Sequence, residues 1–324
     1  MSQLELVEGD EQWTKLRKRA LADFYFFCEV VLGLGPLIPM RPNVHLAFCR
    51  FIAKQTGVPE LDDAFVHLAL MPRETGKTAL ATKAYPMWRL CQDPNRAFIL
   101  ANEKEENAGE FLGSIERMFE TNMLLRSLFP EIIPPDLNKT KWSFNKMDLQ
   151  RTTNRQENSV RVTGVGGSVT GMHPDEVLCD DILSLEAMRN AKVGARQVIA
   201  GVNDWVKTLR FLVNKNATQH GINIVGTHWF HDDCYDFAMQ HFGAGEPKTT
   251  YRLRFTAPDG TVVHAEAYRQ GEVAVMIRAA VEDGRSIFPE KWDLEQLARM
   301  RMADPKLFAA NMMNNPSDDI TADF

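Results

Sequence analysis

The run Met71-Pro72-Arg73-Glu74-Thr75-Gly76-Lys77-Thr78 constrains this chain more than any other stretch of it. It follows the apolar segment Ala64–Leu70 and precedes the helix-patterned run Ala79–Leu90. A strand, a tight loop, Gly-Lys-Thr and a helix form the layout of a nucleotide phosphate cradle. Backbone N–H groups of Pro72–Thr78 (Arg73, Glu74, Thr75, Gly76 and Lys77 among them) can point at phosphate oxygens, and the helix N-terminus adds the positive end of its dipole. Lys77 is placed to reach the β- and γ-phosphates, and the Thr78 hydroxyl to ligate Mg²⁺. Met71 stands where the usual G-x-x-x-x-G-K-[ST] pattern has its first glycine.

The rest of the pattern agrees with such a loop. Ala97–Ala101 (AFILA) is a short, continuous apolar run, as expected of a strand buried on both faces. Val160–Thr163, Val177–Cys179 and Ile222–Val225 read as further strands. Glu103–Glu120, Leu185–Val213 and Asp232–His241 read as helices between and after them. Strands separated by helices predict a doubly wound α/β fold with a mostly parallel sheet, whose ligands lie at the carboxyl ends of the strands. Upstream, Glu11–Leu32 and Asn43–Gln55 read as helices, with the Gly/Pro-rich Gly33–Pro42 between them. Downstream, Tyr251–Phe255 and Val262–Tyr268 flank Pro258-Asp259-Gly260 as a hairpin would, and Asp293–Met313 is helical. The expected organisation is a helical segment and linker over 1–42, a P-loop core over 43–245 and a small subdomain over 246–324.

At 324 residues, 44% hydrophobic and 25% charged, the composition is that expected of a soluble globular protein. No apolar run is long enough to cross a bilayer, and the acidic start Met1–Asp10 is no secretory signal. Five scattered cysteines with no Cys-x-x-Cys argue for a reducing compartment and against zinc. The net charge of −6 lends no support to a stand-alone nucleic-acid binder. Two stretches, Lys139–Arg161 and Ala187–Lys215, are locally basic.

A phosphate cradle needs a carboxylate at a neighbouring strand end to hold Mg²⁺ and a second to polarise the attacking water. Val177-Leu178-Cys179-Asp180-Asp181 supplies both: Asp180 is assigned to the metal and Asp181 to the water. Asp181 is equally suited to cap a helix over Ile182–Met188. Thr227, in Gly226-Thr227-His228-Trp229, is placed to sense the γ-phosphate with its hydroxyl, or simply to make a turn. Arg73, inside the loop, can reach the γ-phosphate or a carboxylate. Arg155 and Arg161, just upstream of the acid pair, are candidates to act in trans on a neighbour's nucleotide.

Together these motifs resemble the large terminase subunit, the ATP-driven motor that packages DNA into tailed-phage capsids. The residues that carry the resemblance are PRETGKT (Pro72–Thr78), GMHPDEVLCDDI (Gly171–Ile182), GTHWFHDD (Gly226–Asp233) and the tail IFPEKWDLEQL…FAANMMNNP (Ile287–Leu297 and Phe308–Pro316). It covers roughly Pro39 to Pro316 and implies a RecA-like P-loop ATPase of the ASCE type. By position, Arg41 and His45 stand where the family contacts adenine. The resemblance further implies ATP and Mg²⁺, a homo-oligomeric ring on a portal protein, a small terminase subunit as partner, sequence-independent contact with double-stranded DNA and residence in the host cytoplasm. A C-terminal nuclease domain, usual in the family, is expected to be missing here. The clustered Asp232, Asp233 and Asp236 are read as capping and solvated groups in preference to a nuclease metal site. The rival readings are a helicase or other translocase of the same class, a small-molecule kinase and a non-catalytic nucleotide-binding module.

Overall fold

The computed structural model describes residues 11–35, 38–136, 142–167, 169, 171–190, 194–217 and 219–316. Nine strands form one sheet: β1 (Val66–Leu70), β2 (Phe98–Asn102), β3 (Lys146–Met147), β4 (Val160–Gly164), β5 (Glu176–Asp180), β6 (Gly221–Gly226), β7 (Thr249–Thr256), β8 (Val262–Gln270) and β9 (Val273–Ile277). Their order is β3-β4-β2-β5-β6-β1-β9-β8-β7. In that order the six strands from β4 to β9 run parallel, and the margins pair antiparallel: β3 with β4, β8 with β9, and β7 with β8. The expected mostly parallel α/β sheet is therefore present, with β6 lying between β1, which leads into Gly76-Lys77-Thr78, and β5, which ends in Asp180.

Alternation along each strand divides the core into two layers. Phe98, Leu100 and Leu178 face one side, where they meet Phe48, Phe51, Leu80, Tyr85, Trp88, Leu112 and Phe119. Ile99, Val177, Cys179, Ile222 and Ile224 face the other, against Val202, Trp205, Leu209 and Tyr235. The helix Ala195–Leu212 buries Ile199, Val202, Trp205, Val206, Leu209 and Leu212, a spacing of three and four that keeps one stripe inward. The upstream helical region is part of this core, because Phe24 packs on Tyr85 and Trp88 at ring-centroid distances of 5.8 and 5.2 Å.

Several predicted elements differ in detail. The expected helix over 185–213 is two, Leu185–Asn190 and Ala195–Leu212, with Gly194 at φ +88° before the second. The one expected over 293–313 is also two, Leu294–Ala303 and Pro305–Met313; Pro305 cannot continue the first, and Asp304 caps the second. Strand β9 is an addition to the expected set. It pairs in parallel with β1 and antiparallel with β8, so the hairpin β7–β8 extends the main sheet and the boundary drawn at 245/246 falls within one continuous layer.

At the amino end of β5, Glu176 is almost fully buried. It accepts hydrogen bonds from Tyr85 Oη at 2.6 Å and Arg96 at 2.5 Å, with Arg89 Nε at 3.4 Å. Burial alone raises a carboxyl pKa, but Arg89, Lys54 and Arg96 outweigh it and hold Glu176 at about 2. This cluster pins β5 and the helix Tyr85–Gln92 together at the end of the sheet away from the loop Pro72–Thr78. Because the folded pKa is depressed, its stabilisation is complete above the ordinary carboxylate pKa and lost as pH falls toward 2. Glu176→Ala strands buried guanidinium groups and should cost about 3–5 kcal/mol in urea unfolding at pH 7; a cost below about 1 kcal/mol would show that the cluster is not an anchor.

Candidate functional site

The parallel register brings three strand ends together. Leu70 lies opposite Gly226, and Asp180 opposite Val225, so Pro72–Thr78, Asp180-Asp181 and Thr227 all emerge at one end of the sheet. The loop after β1 turns through Glu74 and Gly76 at φ +62° and +78°. A Cβ on Gly76 would sit 2.8 Å from Ile38 Cγ2, so both conformation and space demand glycine. Thr75 Oγ1 donates to Pro72 O across the turn at 2.7 Å. Lys291 Nζ braces the outside, 2.9 Å from Glu74 O and 3.0 Å from its carboxylate.

Lys77 is the centre of the site. Its ammonium, in a side chain only 8% exposed, lies 3.2 Å from Thr227 Oγ1 and 3.3 Å from Asp181 Oδ2. One cation therefore links the end of β6 and the end of β5 to the loop after β1. The helix that follows begins with Thr78–Ala84 in wide π turns and continues as Tyr85–Gln92.

Asp180 is fully buried, and neither carboxylate oxygen accepts a hydrogen bond. The hydroxyls of Thr78 and Thr82 face it and favour its charge, without closing a bond of normal length and angle. Burial, and then repulsion from Asp181, push Asp180 up to about 7, against the pull of Lys77. Its backbone carbonyl is held by Asn102 Nδ2 at 2.7 Å. A desolvated carboxylate without donors, beside a threonine hydroxyl, is the hard-oxygen setting a Mg²⁺ ion requires.

Asp181 adopts φ +44°, fixed by its N–H to Val225 O at 3.0 Å and by Glu103 N–H to its own carbonyl at 3.3 Å. It does not cap the next helix: Ser184 does, its Oγ accepting from Ala187 N at 3.1 Å. Of the two roles open in the sequence, capping is excluded, and the Asp181 carboxylate faces Lys77 instead.

The other candidates are placed differently. Arg73 is exposed, its guanidinium 5.6 Å from the Trp229 ring centroid and its backbone N–H bonded to Asn311 O at 2.9 Å. It thus joins the loop after β1 to the segment after β6 and to the last helix. His45 is buried: Nδ1 accepts from Arg41 N–H at 2.9 Å, and Nε2 donates to Thr75 O at 2.9 Å. Burial lowers its pKa to about 4, so it remains neutral. Nε2 braces the loop and Nδ1 is taken up by Arg41 N–H, so neither ring nitrogen is free in this structure. Arg41 pairs with Glu290 at 2.8 Å. Arg155 is tied to Asp175 at 2.6 Å and Glu157 at 3.4 Å, whereas Arg161 is exposed on β4. Arg151 likewise donates to backbone carbonyls of its own chain, so this stretch is no uniform basic face; Lys139, Lys141 and Lys192 lie outside the described residues.

The acid cluster after Thr227 is a capping device. Asp233 heads the helix Cys234–Gly243, accepting from Tyr235 N at 2.8 Å and Asp236 N at 3.3 Å, and from Trp229 N at 3.1 Å. Asp236 accepts from Asp232 N at 2.8 Å and lies 3.1 Å from His228 Nε2. Asn314 joins the site from outside the expected set. Its side chain accepts from His228 N at 3.1 Å and donates to Arg278 O at 2.9 Å, tying the tail to the strand ends. Only its Asn-Asn-Pro setting, typical of a helix stop, hints at a special conformation, here φ +47°.

No protein-family model and no curated protein matches the chain. Among solved structures, it is similar to the large terminase ATPase domain of Thermus phage P74-26. An arginine-to-alanine mutant of that domain aligns with 14% identity over 88% of this chain and 98% of the other, at a TM-score of 0.47. The unsubstituted domain gives 14% identity, 78% and 89% coverage and 0.43. The Phi-28 gp11 DNA packaging motor gives 13% identity, 77% and 65% coverage and 0.40.

The unpartnered Asp180 carboxylate sets a testable cost. Its folded pKa of about 7 lies above its ordinary 3.8, so the native state retains a proton that the unfolded chain releases across that window. Stability of the metal-free protein therefore falls as pH rises between those values. Asp180→Asn should raise the Tm of metal-free protein at pH 8 by about 2–4 °C, read by calorimetry in chelator. A lowered Tm would mean that the carboxylate is compensated within the apo protein.

Proposed function

We propose that this chain is the ATPase domain of a viral DNA-packaging motor, a large terminase, which hydrolyses ATP to drive double-stranded DNA into a procapsid. The observation that carries the ATPase reading is the convergence of Lys77, Asp180, Asp181 and Thr227 from three strand ends onto one small volume. Such a constellation serves phosphoryl transfer, in which the protein contributes position and charge and little covalent chemistry. The order and spacing of the four motifs quoted from the sequence support the packaging motor in particular.

In this reading the amides of Pro72–Thr78 and the Lys77 ammonium hold the triphosphate. To do so, Lys77 exchanges its contacts with Thr227 and Asp181 for phosphate oxygens. Thr78 and Asp180 would hold Mg²⁺, which supplies neutralising charge at the β- and γ-phosphates when bound. Asp181, released from Lys77, orients a water for in-line attack on the γ-phosphate. Thr227 reports the loss of that phosphate through His228 and Asn314, and Arg73 through Trp229 and Asn311. Double-stranded DNA is engaged through its backbone, as sequence-independent packaging requires. An acidic chain is compatible with that when each subunit of a ring touches only a few phosphates. A portal protein and a small subunit are the partners this reading calls for.

Steady-state ATP hydrolysis, measured with and without double-stranded DNA across protein concentration, tests the proposal. Lys77→Ala and Asp181→Asn should each lower turnover by about 10²–10³-fold, and wild-type specific activity should rise with protein concentration as subunits assemble. Turnover indifferent to both substitutions would place the active site elsewhere. Strand separation on a forked duplex would favour a helicase, and failure to bind ATP a non-catalytic module.

A further inference from the structure

On the opposite face of the sheet from Lys77, one buried polar group takes no part in holding phosphate or metal. Tyr235, in the first turn of the helix Cys234–Gly243, is fully buried, and its hydroxyl has no hydrogen-bond partner. Its ring lies against the backbone of Gly226: a Cβ built there would fall 2.1 Å from Tyr235 Oη and 2.2 Å from Cζ. Gly226 is the last residue of β6 and immediately precedes Thr227. The neighbouring Val225 accepts the N–H of Asp181 at 3.0 Å. The phenol thus approaches, from behind, the backbone on which both Thr227 and Asp181 are mounted. Asp181 carries a matching unsatisfied oxygen, since Oδ2 faces Lys77 while Oδ1 is buried without a donor. A buried donor and a buried acceptor, each unsatisfied, carry a cost that their pairing removes.

We infer that Tyr235 is a positioning residue for hydrolysis: its hydroxyl donates to Asp181 Oδ1 once the nucleotide draws Lys77 away. The inference rests on the ATPase reading. With Lys77 paired to phosphate, Asp181 would lose the contact that orients it. A donor fixed on the far side holds Oδ1 and leaves Oδ2 to meet the water. The phenol is suited to this, because burial drives its pKa well above the ordinary value and keeps it a neutral donor. Its place is fixed independently of nucleotide by Asp233, which caps the same turn and binds Tyr235 N.

Tyr235→Phe keeps the ring over Gly226 and removes only the donor. It should lower kcat about tenfold, with KM for ATP within twofold of wild type and a Tm no lower than that of the wild type. A purely structural tyrosine would not split kcat from KM in this way. Gly226→Ala, which displaces the ring, should lower kcat at least as far, and combining it with Tyr235→Phe should add little because both act through the same contact. Wild-type kcat in Tyr235→Phe overturns the inference and leaves the ATPase reading standing. A wild-type protein that neither binds nor hydrolyses ATP overturns that reading, and the inference with it.

Discussion

The ammonium of Lys77, held between Thr227 Oγ1 and Asp181 Oδ2, is the contact around which this molecule is organised. The lysine side chain is buried while Asp181 is partly open to solvent, so the pair is screened on the carboxylate side and exposed to exchange there. It also spans the structure: Lys77 follows β1, Asp181 follows β5 and Thr227 follows β6. Those strands come from distant parts of the chain, and only the parallel register, Leu70 opposite Gly226 and Asp180 opposite Val225, brings their ends level. In the proposed function, a ligand with negatively charged oxygens would compete for the same ammonium. Its arrival would change the partners of two further strand ends at once, which is how a small chemical event can be felt through a rigid sheet.

Around this contact the backbone is braced in ways that leave the side chains available. His45 and Lys291 hold the loop from outside, through Thr75 O and Glu74 O. Asn102 takes the carbonyl of Asp180, leaving its carboxylate without a donor. Asn314 links His228 N to Arg278 O, and Arg73 rests on Trp229. The tail of the described chain is therefore mechanically joined to the strand ends that carry the site. At the other end of the sheet, Glu176 with Arg89, Arg96 and Tyr85 anchors β5 and its covering helix. The site is thus tied at one end to a buried ionic cluster and at the other to the tail.

Much of this is legible in the residues. Gly-Lys-Thr after an apolar strand locates the loop, because only glycine tolerates φ +78° against Ile38. The adjacent acids after Val177-Leu178-Cys179 locate the second half, because a short apolar run ending in charge reads as a buried strand reaching the sheet's edge. Strand β9 is hidden because Val273–Ile277 (VAVMI) follows a hairpin with no helix between, whereas its parallel pairing with β1 is a long-range event. The resemblance offers His45 as a base contact, and the residues alone leave a structural role equally open; packing turns it inward to Thr75. Asp181 could have been a cap, and what decides otherwise is a serine three residues on, Ser184, that satisfies the helix first.

The sequence by itself determined which residues could do chemistry: the loop Pro72–Thr78, the pair Asp180-Asp181 and Thr227. Local backbone preferences and the periodicity of apolar residues act over a few positions, and each of these motifs is that short. The tertiary structure decided which of them meet and in what state. Burial, strand order and register depend on contacts between segments far apart in the chain. They alone set Asp180 without a hydrogen-bond donor, Lys77 between two strand ends, and Tyr235 behind the glycine of a third segment.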